Sequence, residues 1–309
     1  MNIQTAAAPA TAKGPLVWRD MDQEALDNAY DQAVYAPNRD VILKRIAAAT
    51  AQARTILGAP RRAAYGEGEH EGLDIFRAAS FTARGAAEGS APIVVFVHGG
   101  AWRLNQASGY AFLAEPLVRA GAHAVVLDFT TVDATGGDLM PLYRQVSRAL
   151  GWVWRNAGSF GGDCNRLYIL AHSSGAHLAA CALTRGWREE GLAADFCKGA
   201  VLCSGMYDLE PVRLSKRSAY VKFTDGMEHA LSAQRHIDGL STPLILAYGT
   251  AETPEFQRQT RDFCAAVQAA GKPAKLIVAE GHNHFEMLEM LGNPYSLVSR
   301  AVLGQMGIA

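Results

Sequence analysis

Two periods of apolar and polar positions run along this chain, and the switches between them predict its elements. Over residues 21–35 and again over 40–57 apolar side chains recur at helical spacing, with Gly58 and Pro60 ending the second segment. Residues 73–76 alternate as an early antiparallel strand would. Residues 92–97, PIVVFV, form a continuous β-branched and aromatic run, the pattern of a strand buried on both faces of a parallel sheet. Helix and strand patterns then alternate: helices over 108–119 and 138–156, strands over 124–129, 167–170, 199–203, 244–248 and 275–278. Thr253 and Pro254 supply a cap and a first-turn proline for a further helix, which Gly271 closes. This order predicts an α/β fold with a mostly parallel central sheet, helices on both faces and right-handed crossovers. Residues 209–240 carry no strand pattern and are locally charged. They read as a small helical, cap-like insertion over the C-terminal edge of the sheet, where sites in such folds lie.

Composition narrows the picture. A chain of 309 residues, 49% hydrophobic and 19% charged, can bury roughly 75% of its unfolded surface in one large domain. The expected organisation is a flexible tail over residues 1–20 and a single domain over 21–309. A formal net charge of -1 offers no basic excess for nucleic acid and no polybasic stripe for a membrane surface. The opening segment has neither a basic start nor a continuous apolar core, so it reads as neither signal peptide nor membrane span. Five cysteines, an odd number without a C-x-x-C pair, point to reduced thiols and a cytoplasmic location. Small-molecule chemistry is what remains, with a homodimer left open.

The chemistry-bearing stretch is RLYILAHSSGAHLAA, residues 166–180: an apolar run, a tight turn at Ser173, and a helix. In a G-x-S-x-G elbow the serine takes a strained conformation that lifts its hydroxyl out of the sheet, and small neighbours two residues away keep strand and helix apart. Here those neighbours are Ala171, a departure from glycine, and Gly175. The bland alternative is a serine that merely caps a helix. A nucleophilic serine needs a base and an orienting acid, in the order serine, acid, histidine. Glu252 follows the strand pattern at 244–248 and His284 follows that at 275–278, so all three candidates, Ser173, Glu252 and His284, sit past strand ends and can converge on one edge. Asp208 is the rival acid. An oxyanion needs N–H donors, and Gly99 and Gly100 in HGGAW, with the Ser174 N–H at the start of the elbow helix, are the candidates.

The stretches HGGAW, AHSSGAHLAA, SGMYDLEP, LSAQRH, ETPEFQRQ and GHNHFE, collinear over residues ~90 to ~290, resemble the kynurenine formamidase (arylformamidase) family, a branch of the α/β-hydrolase fold. The resemblance implies Ser173 as nucleophile, Glu252 where an aspartate is usual, and His284 as base. It implies hydrolysis of an N-formyl or other short N-acyl aryl amide, or of a small aryl ester, with no cofactor. Ala171, and LDFTTVDATGG without the tyrosine-aspartate-x-x-proline pattern of relatives, depart from the family near the site. A carboxylesterase and a hydrolase-fold binding protein without chemistry are the competing readings. Trp102 is expected to wall the aryl pocket. His172 and His177 are expected to pack and hydrogen-bond, Tyr30 and Tyr35 to pack. His282 and His284, two apart with no third ligand, make no zinc site.

Overall fold

In the computed structural model, which describes residues 14–78, 90–104, 106–187 and 191–308, α1 (Gln23–Ala29) and α2 (Arg39–Leu57) precede β1 (Arg61–Ala64), β2 (Gly72–Phe76) and β3 (Ala91–Val97). There follow α3 (Ala111–Arg119), β4 (His123–Leu127), α4 (Met140–Asn156), β5 (Gly162–His172), α5 (Ser174–Leu183) and β6 (Cys197–Cys203). Short helices α6 (Glu210–Leu214) and α7 (Asp225–Ala230), with several 3-10 turns, lead to β7 (Leu244–Gly249), α8 (Pro254–Ala269), β8 (Ala274–Ala279), α9 (His284–Glu289) and α10 (Leu297–Met306). The strands form one eight-stranded sheet in the order β1-β2-β4-β3-β5-β6-β7-β8. The pairs β1 with β2 and β2 with β4 are antiparallel; every pair from β4 through β3 to β8 is parallel. This is the expected α/β-hydrolase arrangement.

The apolar runs explain why the sheet is central. Along β3, Ile93, Val95 and Val97 face one core with α4, α5 and α8, while Val94 and Phe96 face a second core with α2, α3 and α10. Both faces are dry, so these strands can be apolar at every position. The β1 strand escapes a pattern search because its RRAA sequence is largely exposed, and what holds it is backbone pairing with β2 and the Arg62–Asp74 ion pair (3.0 Å).

Two boundaries differ from the sequence expectation. The tail expected over residues 1–20 lies outside the described residues as far as residue 13. From Gly14 onward the chain is tied down: the Gly14 N–H donates to Asp22 Oδ2 (3.1 Å) and Val17 N–H to Met21 O (2.9 Å). The helix expected over 21–35 stops at Ala29. Tyr30 leaves helical geometry at φ -112°, and Asp31 then accepts the Ala33 N–H (3.0 Å), which turns the chain before α2. That turn brings Tyr30, Asp31 and Gln32 to the C-terminal edge of the sheet.

Candidate active site

Strand β5 runs directly into α5 through Ser173, whose backbone sits at φ 57°, ψ -128°. For a residue with a Cβ this is a costly conformation, and two features hold it. The Ser173 N–H donates to Cys203 O on the neighbouring β6 (2.9 Å), and its carbonyl accepts the His177 N–H (3.1 Å) to start the helix. Gly175 is demanded by space: a Cβ there would lie 2.2 Å from Val97 O and 2.3 Å from His98 O. The Ser173 side chain caps nothing, so its hydroxyl is left to other partners.

His284, the first residue of α9, supplies one. Its Nε2 accepts the Ser173 Oγ–H at 2.9 Å, and its Nδ1–H donates to Glu252 Oε2 at 2.7 Å. The ring tautomer follows from its neighbours, because the carboxylate only accepts. Glu252 is 2% exposed, and its Oε1 accepts from the Ser204 hydroxyl (2.7 Å) and the Gly249 N–H (2.8 Å). Both oxygens are therefore satisfied and the carboxylate is fixed from two sides. Asp208 plays no part: its carboxylate pairs with Arg235 (3.3 Å), while Gln259 bonds its main chain. Ser204, at φ 55° just past β6, is a contributor that the sequence reading missed.

The glycine turn after β3 approaches the elbow closely; a Cβ on Gly99 would come within 2.8 Å of Ser173 Cβ. His98, stacked on Phe129 (4.4 Å) and Tyr110 (5.4 Å), donates Nδ1–H to Gly99 O (2.9 Å) and so fixes that peptide. Ala101 (φ 54°) and Trp102 (φ 62°) continue the turn in the left-handed region, held by the Trp102 N–H to Ser174 Oγ contact (3.2 Å). The Ser174 N–H opens α5 and has no acceptor within the helix. The expectation for Trp102 needs correction. Trp102 is 2% exposed, is not among the residues that line the cavity, and turns its Nε1–H to His177 Nδ1 (3.2 Å), so it packs inside the fold.

That bond fixes His177 as well. With Nδ1 accepting, Nε2–H donates to Leu231 O (2.9 Å), and burial pushes the ring's pKa down to about 4. Burial likewise lowers His98, and burial next to His284 lowers His172, whose Nε2–H donates to the His284 carbonyl (3.0 Å). A histidine held neutral in the fold but protonated near pH 6.5 when unfolded contributes stability above pH 6.5 and loses it as pH falls towards its folded pKa. For His177 alone the loss between pH 6.5 and 4 amounts to roughly 3 kcal/mol. Urea midpoints are expected to fall measurably from pH 7 to pH 5. Equal midpoints at both pH values would contradict the neutral buried histidines.

Ser173, His284, His172, Gly99 and Gly100 line one cavity of about 970 Å³. The same cavity is lined by the turn after α1, by α2, and by Lys216, Arg217 and Tyr220 between β6 and β7. Tyr30 also lines the cavity while its hydroxyl donates to Glu255 (2.9 Å); Tyr35 is exposed. His282 bonds backbone in its own loop through Nδ1 (2.8 Å). Among the described residues no group of three or more His, Cys, Asp or Glu is arranged to hold a metal, and no helix is long and apolar enough to cross a membrane.

Known proteins resemble this chain over most of its length. The family described as BD-FAE matches residues 80–196. Kynurenine formamidase of Danio rerio is 29% identical over 301 residues, covering 94% of this chain and 98% of that protein. The chain is a kynurenine formamidase-like α/β-hydrolase. The isoprenylcysteine alpha-carbonyl methylesterase ICME of Arabidopsis thaliana is also similar to this hydrolase, 26% identical over 74% of this chain and 56% of the plant protein. A crystal structure from Silicibacter superposes with a TM-score of 0.75 at 22% identity, covering 89% of this chain and 97% of that one, which shows the shared fold. The relatives named here are thus a formamidase and a methylesterase.

Proposed function

We propose that the protein is a metal-independent serine hydrolase that removes a short acyl group, formyl or similar, from an aryl amide through an acyl-enzyme. N-formylkynurenine or a related acylated arylamine is the type of substrate meant. The hydrogen-bonded line from Glu252 through His284 to Ser173, at the wall of a cavity large enough for an arylamine, is the observation that carries this reading. Ser173 Oγ attacks the acyl carbon while His284 Nε2 takes its proton; Glu252 stabilises the imidazolium formed. The N–H groups of the Gly99 and Gly100 turn and of Ser174 stabilise the oxyanion. His284 then hands the proton to the departing arylamine, and water attacks the acyl-serine by the reverse use of the same groups.

The methylesterase relatives favour a second reading, a carboxylesterase that uses the same residues on an oxygen leaving group. Fluorophosphonate labelling at Ser173 tests the nucleophile, and rates on matched N-formyl, N-acetyl and O-acetyl aryl substrates separate amidase from esterase. EDTA is expected to leave the rate unchanged. Inactivation by EDTA that added metal reverses would overturn the metal-independent mechanism.

A further inference from the structure

His172 precedes the nucleophile in the chain, and its ring holds a nitrogen that the chemistry above does not use. The His284 carbonyl only accepts, so its bond with His172 Nε2 (3.0 Å) places the ring's hydrogen on Nε2. Burial beside His284 keeps the ring neutral, and Nδ1 is then a lone-pair acceptor. No donor among the described residues meets it. The two other buried histidines near the elbow differ. His177 uses both nitrogens, on Trp102 and Leu231, while His98 turns Nδ1 to Gly99 and has its Nε2 sealed in the core. His172 is 3% exposed, yet it lines the cavity together with Ser173 and His284.

The place of Nδ1 narrows what it can receive. A Cβ built on Gly99 would lie 3.3 Å from His172 Nδ1 and 2.8 Å from Ser173 Cβ, so Nδ1 stands where the glycine turn meets the nucleophile. The His172 ring also packs against the ring of His284, with centroids 4.6 Å apart, and His284 is the group that must reach the leaving atom. A lone pair in this position repels an oxyanion and attracts an N–H. The acyl oxygen is drawn instead to the N–H groups of the Gly99 and Gly100 turn and of Ser174, which leaves Nδ1 for a hydrogen on the leaving atom. An amide carries such a hydrogen on its scissile nitrogen; an ester carries none.

We infer that His172 Nδ1 accepts the hydrogen bond of the scissile N–H, and that this contact tilts the site toward amides and away from esters of the same acid. As the nitrogen turns pyramidal, its own hydrogen stays on it and is held by Nδ1. His284 supplies the second hydrogen from Nε2, the C–N bond breaks, and the product leaves as a neutral primary arylamine. His172 gains and loses no proton. An ester sets oxygen lone pairs against Nδ1, so the same atom that helps an amide opposes its oxygen analogue. This inference rests on reading the site as one for aryl amides.

The test follows kcat/KM on three substrates: an N-acyl anilide, its N-methyl derivative, which lacks the N–H, and the matched aryl ester. In the parent protein the anilide is expected to exceed the N-methyl anilide by about 10- to 100-fold, the range for a buried hydrogen bond left unmade. His172→Gln keeps a donor where Nε2 stands and has no acceptor where Nδ1 stands. It should lower the anilide-to-ester ratio by about 10- to 100-fold and close the gap to the N-methyl anilide. His172→Asn puts its amide oxygen where Nδ1 stands and should keep most of the ratio, although it loses the bond to His284. A residue that merely held His284 would give the opposite order, with Asn impaired on both substrates and Gln on neither. Fluorophosphonate labelling of each variant shows that its site has assembled. A parent that cleaves both anilides equally fast, or an unchanged ratio in a labelled His172→Gln protein, overturns the role of His172 alone. If the parent turns over the ester and no anilide, the amidase reading falls and the inference falls with it.

Discussion

Replacing Ser173 with alanine is expected to lower kcat on an aryl amide by about 10⁴- to 10⁶-fold, leaving only what oxyanion donors and binding supply. The fold should survive, because the hydroxyl makes a single hydrogen bond, to His284, and caps no helix. Its loss costs on the order of 1 kcal/mol. Ser173→Gly makes the same point from the opposite direction. The residue at φ 57°, ψ -128° pays for its Cβ, and glycine does not, so this variant should be at least as stable as the parent while equally inactive. Thermal unfolding of both variants, run beside their rates on a formyl anilide, gives the comparison. A rate near that of the parent in either variant would exclude Ser173 as the nucleophile.

How much of this was legible in the sequence depends on the range of the interaction. Strand β3 and the 167–171 half of β5 were readable because burial on both faces leaves no polar position there, whereas the first half of β5, with Asp163, Asn165 and Arg166 partly or fully exposed, has no such run. The elbow was readable despite Ala171. In the structure Ala171, which carries a Cβ, pairs in register with Val97 and Leu202, whereas a Cβ on Gly175 would lie 2.2 Å from Val97 O, so the second small position is the one that admits no side chain. Strand β1 was not readable, having no apolar face to announce it. Nor was the orientation of Trp102, which depends on an acceptor, His177, 75 positions later. Ser204 was missed for the same reason: it gains its meaning from Glu252, a partner that meets it only once distant segments are packed together, and no local pattern marks such a residue.

The pairing of Glu252 with His284 leads to the most exacting expectation. Glu252→Gln should lower kcat by about 10³- to 10⁴-fold with the fold retained. The structure supplies the reason. Glu252 Oε1 accepts the Gly249 N–H, which can only donate, so the amide oxygen of a glutamine must take that place. Its NH₂ group then faces His284 Nδ1, where the carboxylate Oε2 now accepts. Two donors cannot face each other, and the ring escapes by placing its proton on Nε2, the atom that must receive the proton of Ser173. Glu252→Asp should be impaired less. Its carboxylate keeps the correct polarity but falls about 1.5 Å short unless the loop relaxes. Asp208→Asn should change kcat little, since Asp208 pairs with Arg235 away from the histidine. The three variants are best compared on kcat with a slow amide, because an activated ester can make deacylation limiting and mask the defect. If Asp208→Asn proves crippling and Glu252→Gln mild, the orienting acid is misassigned, although Ser173 and His284 keep their roles.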